Sequence, residues 1–322
     1  KKRSDNYFLI LGDWGKPGMP GSCQRAVAEH MKSYARQQKE AGKNLLFVGA
    51  VGDNFYWTGV TPGAFERSWS QPYGTNNPRS PLYNIPWLAV LGNHDYGNAD
   101  PYAFCPHVAP HSFINGQAYA GRQLNSDRNP TRYDWQCSGM EHFAWDMEKT
   151  MPWWEFHGNT TPPSSDQDSW SSWMPQACTS RHYWLPDYNY HYEIPDADLE
   201  VIAIDTNGFT DPSTLGGNPS GRVQADILCG GNETTIDFFN RLKEAAWDLL
   251  KERAREGTAT TVVILQHYPG LCFRDIFQSA LRPGRQVNVL CAYGHVHDQQ
   301  CQGMVNPLQP GVCSDVLTGG GG

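Results

Sequence analysis

The 322-residue chain has no apolar run near the roughly 20 residues that a membrane-spanning helix needs, and no repeat or low-complexity tract. Basic residues are also fewer than acidic ones. The chain has 25 Lys and Arg and 33 Asp and Glu, which gives a formal net charge of −8. Affinity for a nucleic-acid backbone comes mostly from clustered Lys and Arg. We therefore expect neither a transmembrane segment nor a nucleic-acid partner.

The nine cysteines include no close C-x-x-C pair of the kind found in zinc and redox motifs, so disulfide bonds are their expected use. Asn159 and Asn232 each begin an N-x-T glycosylation signal. Both features are typical of secreted, lumenal or cell-surface glycoproteins. We predict such a location, with a signal peptide already removed and at least one cysteine free or paired between chains.

Five hydrophobic, strand-like runs are each followed at once by a short polar motif. The runs are Tyr7–Leu11, Asn44–Val51, Pro86–Leu91, Thr260–Leu265 and Val287–Tyr293. The motifs are Gly12-Asp13, Gly52-Asp53-Asn54-Phe55-Tyr56, Gly92-Asn93-His94-Asp95, Gln266-His267 and Gly294-His295-Val296-His297. Helical patterns at 26–38 and 234–256 indicate an α/β fold. Because open α/β sheets bind ligands beyond the carboxyl ends of their strands, we expect the motifs to converge there.

The motifs supply ligand types for two adjacent metal ions. Anionic oxygen suits iron(III), a hard cation, and one predicted set provides it: Asp13, Asp53, Tyr56 and His297. Softer ligands suit zinc, iron(II) or manganese, and they form the second set: Asp53, Asn93, His267 and His295. Asp53 is the expected bridge. A single Gly-Asp or His pair is more often structural, so the prediction depends on the whole pattern.

With these residues the chain resembles the calcineurin-like metallophosphoesterase superfamily and, within it, the purple acid phosphatases. Tyr56 makes the narrower match, and the segment at 52–60, GDNFYWTGV, is similar to the small tartrate-resistant type. The resemblance covers about residues 7–97 and 188–319. It implies an α/β fold of two facing mixed β-sheets flanked by helices. It also implies a colour that arises from charge transfer between the tyrosinate and iron(III).

The resemblance further implies an acid phosphatase that hydrolyses phosphate monoesters at a binuclear Fe(III)–M(II) centre, with a metal-bound hydroxide as nucleophile. His94 is the predicted catalytic residue, hydrogen-bonding the phosphate or protonating the leaving group. Asp95 is either a support for the site or part of the turn. Two alternatives stay open: a phosphodiesterase or pyrophosphatase on the same centre, and a non-catalytic phosphatase-like scaffold in a protein assembly.

A Trp-rich stretch at 97–182 is too long for an ordinary loop and predicts an inserted lid or subdomain within one domain at 1–319. This insertion either covers the site or docks a protein partner. Beyond the fourth motif the chain departs from the family pattern, and Arg274 there is either a phosphate clamp or part of a surface salt bridge. The family continues past the position of Gly322, so we expect the chain to be incomplete at its C-terminus.

Overall fold

The structure is a computed structural model that describes residues 5–16, 22–56, 64–95, 143–144, 182–185, 188–209, 233–269, 273–302 and 315–320. Its strands are β1 Asn6–Leu11, β2 Asn44–Val51, β3 Trp87–Val90, β4 Phe143–Ala144, β5 Tyr183–Trp184, β6 Tyr190–Ile194, β7 Leu199–Ala203, β8 Thr261–Leu265, β9 Asn288–Tyr293, β10 Gln299–Gln302 and β11 Asp315–Thr318. Its α-helices are α1 Cys23–Glu40, α2 Gln71–Tyr73, α3 Glu233–Glu256 and α4 Arg274–Ser279. A π-helical turn, Phe65–Ser70, precedes α2, and a 3-10 turn, Pro195–Ala197, precedes β7.

The strands form two sheets. The smaller has the order β1-β2-β3-β5, and all of its pairings are parallel. The larger has the order β10-β11-β9-β8-β7-β6-β4, with parallel pairing from β11 to β7 and antiparallel pairing at both edges. The predicted α/β fold of two sheets flanked by helices is confirmed, with a mixed larger sheet and a parallel smaller one.

The two sheets pack face to face through one hydrophobic core. Gly49 on β2 allows a close approach, since a Cβ atom there would lie 3.1 Å from the Leu265 side chain on β8. α1 adds Ala28 and Ala35 to this core. On the outer side of the larger sheet, α3 buries its apolar stripe, which includes Leu250, in a second core. Strands covered on both faces read as continuous apolar runs, as the five predicted strands do.

This packing brings the five motifs to one side of the molecule. β1, β2 and β3 run parallel, so their carboxyl ends meet at one edge of the smaller sheet. β8 and β9 end together at one edge of the larger sheet. The Asp13 N–H donates to the Gly52 carbonyl at 3.1 Å, and the Gly294 N–H donates to the His267 carbonyl at 3.0 Å. All five predicted strand bounds agree with the structure to within one residue.

A buried network of charges lies at the opposite end of the larger sheet. Glu200, near the start of β7, is fully buried and accepts a hydrogen bond from Arg253 of α3. Arg253 also pairs with Glu193, and Arg285 Nη2 lies 3.9 Å from Glu200 Oε2. Burial raises the pKa of the Glu200 carboxyl, and the charge of Arg253 opposes that rise. The network therefore joins α3 to β6 and β7 through a carboxylate that depends on its cationic partners.

Several predictions concern residues outside the described part of the chain. The insertion at 97–182 lies there apart from β4 and residue 182, and so do Asn159 and Asn232, the asparagines of the two glycosylation signals. The single domain at 1–319 stays a prediction. Cys291 is disulfide-bonded and Cys23 is free and exposed, whereas the remaining cysteine pairings stay predictions. Among the described segments, none of the helices combines the length and the hydrophobicity of a membrane span.

Candidate metal centre

Three of the motif residues have an unusual backbone conformation. Asp13, Asp53 and His295 have φ angles of 54°, 51° and 70°, in the left-handed region that non-glycine residues rarely adopt. Only two other non-glycine residues of the described segments share it, Asn84 and Asp198. Such conformations cost on the order of 1–3 kcal/mol and persist where the surroundings fix them, often at functional sites. The strain at these three strand ends therefore points to a site.

Hydrogen bonds hold the strained residues in place. The backbone N–H of His295 donates to Asp13 Oδ2 at 2.8 Å, and the backbone N–H of His94 donates to Asp53 Oδ1 at 2.9 Å. Gly92 permits the second of these contacts, because a Cβ atom there would overlap both Asp53 and the His267 ring. The motifs are therefore tied to one another across both sheets.

The first cluster of side chains contains the predicted iron(III) ligands. The Tyr56 hydroxyl donates to Asp53 Oδ2 at 2.9 Å and lies 3.3 Å from Asp13 Oδ1 and 3.1 Å from His297 Nε2. His297 Nε2 lies 3.3 Å from Asp13 Oδ1. Asp13, Asp53 and His297 are close enough to hold one metal ion together. The cluster is buried except at His297, whose side chain is 60% exposed.

The second cluster contains the predicted ligands of the divalent metal. Asn93 Oδ1 lies 3.1 Å from both His267 Nε2 and His295 Nδ1. His267 Nε2 also lies 3.4 Å from Asp53 Oδ1. His267 Nδ1 lies 2.9 Å from the Val51 carbonyl, which assigns the ring proton to Nδ1 and leaves the Nε2 lone pair facing the cluster. All four side chains are at least nine-tenths buried.

The carboxylate of Asp53 joins the two clusters, with Oδ2 facing the first and Oδ1 facing the second. The structure thus brings all seven predicted ligand residues together in two adjacent groups. His94 lies beside the first group, with its ring centroid 4.3 Å from that of Tyr56. The arrangement provides donors for two ions that share one carboxylate.

Electrostatics make this pocket suited to cations. Burial raises the pKa of Asp13, and the nearby Asp53 carboxylate raises it further, while the hydrogen bond with His297 opposes both. Burial and the same two carboxylates raise the pKa of the Tyr56 phenol far above its ordinary value. Burial also acts to raise the pKa of Asp53, but the nearby His267 and His94 outweigh it and hold that pKa low. Carboxylate and phenol oxygens that are buried this close together are stabilised by a bound positive charge. The donor set therefore fits metal ions.

Other polar residues position the site, and the sequence analysis did not predict a role for them. The Asn54 amide donates to the Val90 carbonyl at 2.6 Å, and its Oδ1 accepts from the Trp14 indole at 3.1 Å. Asn207, after β7, donates to the Leu91 carbonyl at 3.1 Å and so links the larger sheet to the loop that carries Asn93. In the sequence, Asn54 and Asn207 are marked by a position just after a strand. Ordinary polar turn residues occupy the same kind of position, so this feature does not single them out.

Arg274 forms an ion pair with Asp315 of β11. The Arg274 Nη1 atom also donates to Asp315 Oδ2 at 3.4 Å. Of the two alternatives for this residue, the structure therefore favours the salt bridge over a phosphate clamp.

A second group of metal-ligand types, His191, Glu193 and Glu200, lies within the buried charge network. His191 Nδ1 is 3.8 Å from Glu200 Oε1. Arg253 contacts both glutamates and Arg285 lies near Glu200, so two permanent cations already balance the two carboxylates. We assign it to the structural network.

Comparison with known proteins adds an independent line of evidence. A family model described as "Calcineurin-like phosphoesterase" matches residues 7–299. The chain is 40% identical over 106 residues to purple acid phosphatase 7 of Arabidopsis thaliana, covering 31% of this chain and 29% of the relative. It is 37% identical over 90 residues to tartrate-resistant acid phosphatase type 5 of Mus musculus, covering 28% and 26%. The matched region thus spans less than a third of the length of these relatives.

Proposed function

The chain belongs to the calcineurin-like phosphoesterase family, and we propose from this membership that it is an acid phosphatase of the purple acid type. Its substrates would be phosphate monoesters, hydrolysed at a binuclear centre of iron(III) and divalent zinc, iron or manganese. The observation that carries the proposal is the position of Asp53, whose two oxygens face two different ligand clusters. The similarity to purple acid and tartrate-resistant phosphatases supports the same reaction class.

In this proposal, each metal ion has four ligands from the chain. The iron(III) ligands are Asp13, Asp53, Tyr56 and His297, and the divalent-metal ligands are Asp53, Asn93, His267 and His295. When bound, two metal ions of this kind neutralise phosphate oxygens and lower the pKa of bound water. The task of the protein is to hold the ligands rigidly, and the strained backbone at Asp13, Asp53 and His295 supports that role.

Tyr56→Phe is expected to remove the purple or pink colour of the purified protein while iron stays bound. The colour needs a phenolate on iron(III), whereas Asp13, Asp53 and His297 remain to hold the ion. Visible absorption and iron content measured on the same sample check this. Tyr268→Phe is the matched control, because Tyr268 is buried beside His295 but lies outside the first cluster. Colour that survives in Tyr56→Phe would refute the tyrosinate assignment.

His94→Ala is expected to lower kcat by about 100-fold or more with unchanged metal content, because a positioned acid or hydrogen-bond donor contributes about that much. Metal binding should survive, since His94 contacts Asp53 through its backbone N–H, which alanine retains. If His94 protonates the leaving group, alkyl phosphates should lose more rate than aryl phosphates, whose leaving groups need less help. His182→Ala is the control, because His182 is only partly buried and its side chain pairs with Asn84, which lies outside the motifs. Loss of metal from His94→Ala would make His94 a structural residue instead.

The reaction class is tested by comparing three substrates. We expect an aryl phosphate monoester to be hydrolysed faster than the corresponding diester and faster than pyrophosphate, at mildly acidic pH. Faster hydrolysis of the diester or of pyrophosphate would move the assignment to those substrates on the same centre. No hydrolysis of any of them by folded, metal-loaded protein would favour a non-catalytic scaffold.

We also propose a secreted, lumenal or cell-surface location. The two glycosylation signals and the disulfide-bonded Cys291 support it. Treatment of the native protein with an endoglycosidase should lower its apparent mass. An unchanged mass, together with reduced cysteines in the native protein, would contradict this location.

A further inference from the structure

Asp95 has a fully buried carboxylate that accepts hydrogen bonds from two of the motif loops. Its Oδ1 accepts from the backbone N–H groups of Asn54 and Phe55, each at 3.1 Å. Its Oδ2 accepts from the Gly92 N–H at 2.9 Å and from the Asn54 side-chain amide at 3.2 Å. One side chain therefore connects the loop after β2 with the loop after β3.

Each of these donors lies next to a proposed metal ligand. Asn54 follows Asp53 in the loop after β2, and Gly92 precedes Asn93 in the loop after β3. Burying a carboxylate costs free energy unless several hydrogen-bond donors compensate its charge. We therefore expect the hydrogen bonds to Asp95 to be kept together or lost together. The separation between Asp53 and Asn93 thus depends on Asp95.

The two proposed metal sites depend on this connection to different degrees. The second site takes ligands from both loops, namely Asp53 and Asn93, as well as His267 and His295 from the larger sheet. The first site takes no ligand from the loop after β3, and Tyr56 and Asp53 come from one loop. A change in the distance between the loops should therefore act on the second site far more than on the first.

We propose that Asp95 is a positioning residue that sets the affinity of the second metal site by fixing Asn93 relative to the bridging carboxylate of Asp53. The inference rests on the proposed function. Residues that orient metal ligands in this way typically change metal affinity by about 10- to 100-fold when they are replaced.

Asp95→Asn is the sharpest substitution for a test because it preserves size while replacing one acceptor oxygen with an N–H₂ group. Both oxygens face backbone N–H donors, so either orientation of the amide places N–H groups against each other. At least one loop must then lose its contact with residue 95. Other bonds between these elements, such as the one from the Asn54 side chain to the Val90 carbonyl at the end of β3, do not involve residue 95 and remain in this variant.

The experiment measures zinc affinity by competition with a chelator, on full-length protein that already carries iron in the coloured first site. We expect zinc binding by Asp95→Asn to weaken 10- to 100-fold, with iron content and colour kept. Asp198→Asn is the matched control, because Asp198 also accepts two hydrogen bonds, from Thr260, at the opposite end of the larger sheet. Its zinc affinity should equal that of the parent.

Equal zinc affinity in Asp95→Asn and the parent, or equal losses of iron and zinc, would overturn the inference, since the second result indicates general destabilisation. Should Asp95→Asn fail to fold, Asn54→Ala keeps the backbone N–H bonds to Asp95 and removes the side-chain bonds to Asp95, Val90 and Trp14. This variant should weaken zinc binding about 3-fold or more, and unchanged zinc binding would overturn the inference. A parent protein that binds no metal would instead refute the proposed function itself.

Discussion

Asp53→Ala is expected to abolish binding of both metal ions and to lower phosphate release from an aryl phosphate on the order of a thousandfold or more. The reason is the placement of the side chain between the two clusters, with Oδ2 2.9 Å from the Tyr56 hydroxyl and Oδ1 3.4 Å from His267 Nε2. Removing it takes one ligand from each site at once. It also removes the acceptor of the His94 N–H, so the loop after β3 loses an anchor.

The measurement pairs metal analysis with phosphate release on the same preparations. Asp196→Ala is a suitable control, since it removes an exposed aspartate from the 3-10 turn at the far end of the larger sheet. That variant should keep two metal ions and full activity. An Asp53→Ala protein that loses only one metal ion would show that Asp53 does not bridge, even if activity falls.

Arg253→Met is expected to lower the free energy of unfolding by about 3–5 kcal/mol at neutral pH, because breaking a buried ion pair leaves an uncompensated charge. Glu200 is fully buried, and loss of Arg253 removes its closest cationic partner and leaves the more distant Arg285, 3.9 Å away, to offset the cost of burying the carboxylate. The exposed neighbour Arg255 provides a control on the same helix, and Arg255→Met should change stability by less than about 0.5 kcal/mol. Urea unfolding of both variants checks the difference.

The loss in Arg253→Met should shrink in acid. Burial already raises the pKa of Glu200, and removing the charge that opposes this rise must raise it further. A carboxyl with a raised pKa in the folded state stabilises the fold when protonated. That stabilisation is fully present below the ordinary glutamate pKa of about 4.3 and disappears as pH rises through the higher folded value. A stability loss that is the same at pH 4.5 and pH 7 would mean that Glu200 is not the group left uncompensated.

The sequence predicted the main strands well where a continuous apolar run ends at a polar motif. β2 was predicted without error because Leu45 to Val51 is apolar throughout and Gly52-Asp53 ends it. β6 begins only at Tyr190, because the side chain of the preceding Asn189 bonds to the Leu242 carbonyl and the Asp205 N–H. β4 and β5 have two residues each, which is too short for any period to be read, so tertiary pairing alone determines them.

For the site, residue type and position at strand ends were enough to indicate which side chains converge. The sequence could not show how they are held. Asp95 and Asn54 are 41 residues apart, and their hydrogen bonds form only after β2 and β3 have paired. The left-handed backbone of Asp13, Asp53 and His295 is likewise fixed by contacts between motifs and not by local preference. Long-range contacts of this kind have no periodic signal in the sequence.

The most direct test of a binuclear phosphatase is phosphate release from an aryl phosphate by the full-length protein before and after its metals are removed and restored. We expect turnover at mildly acidic pH, its loss after chelation, and its recovery only when iron and a divalent metal are both returned. Turnover that is unaffected by complete metal removal would contradict a binuclear metal centre. So would the absence of turnover in folded protein that carries two metal ions per chain.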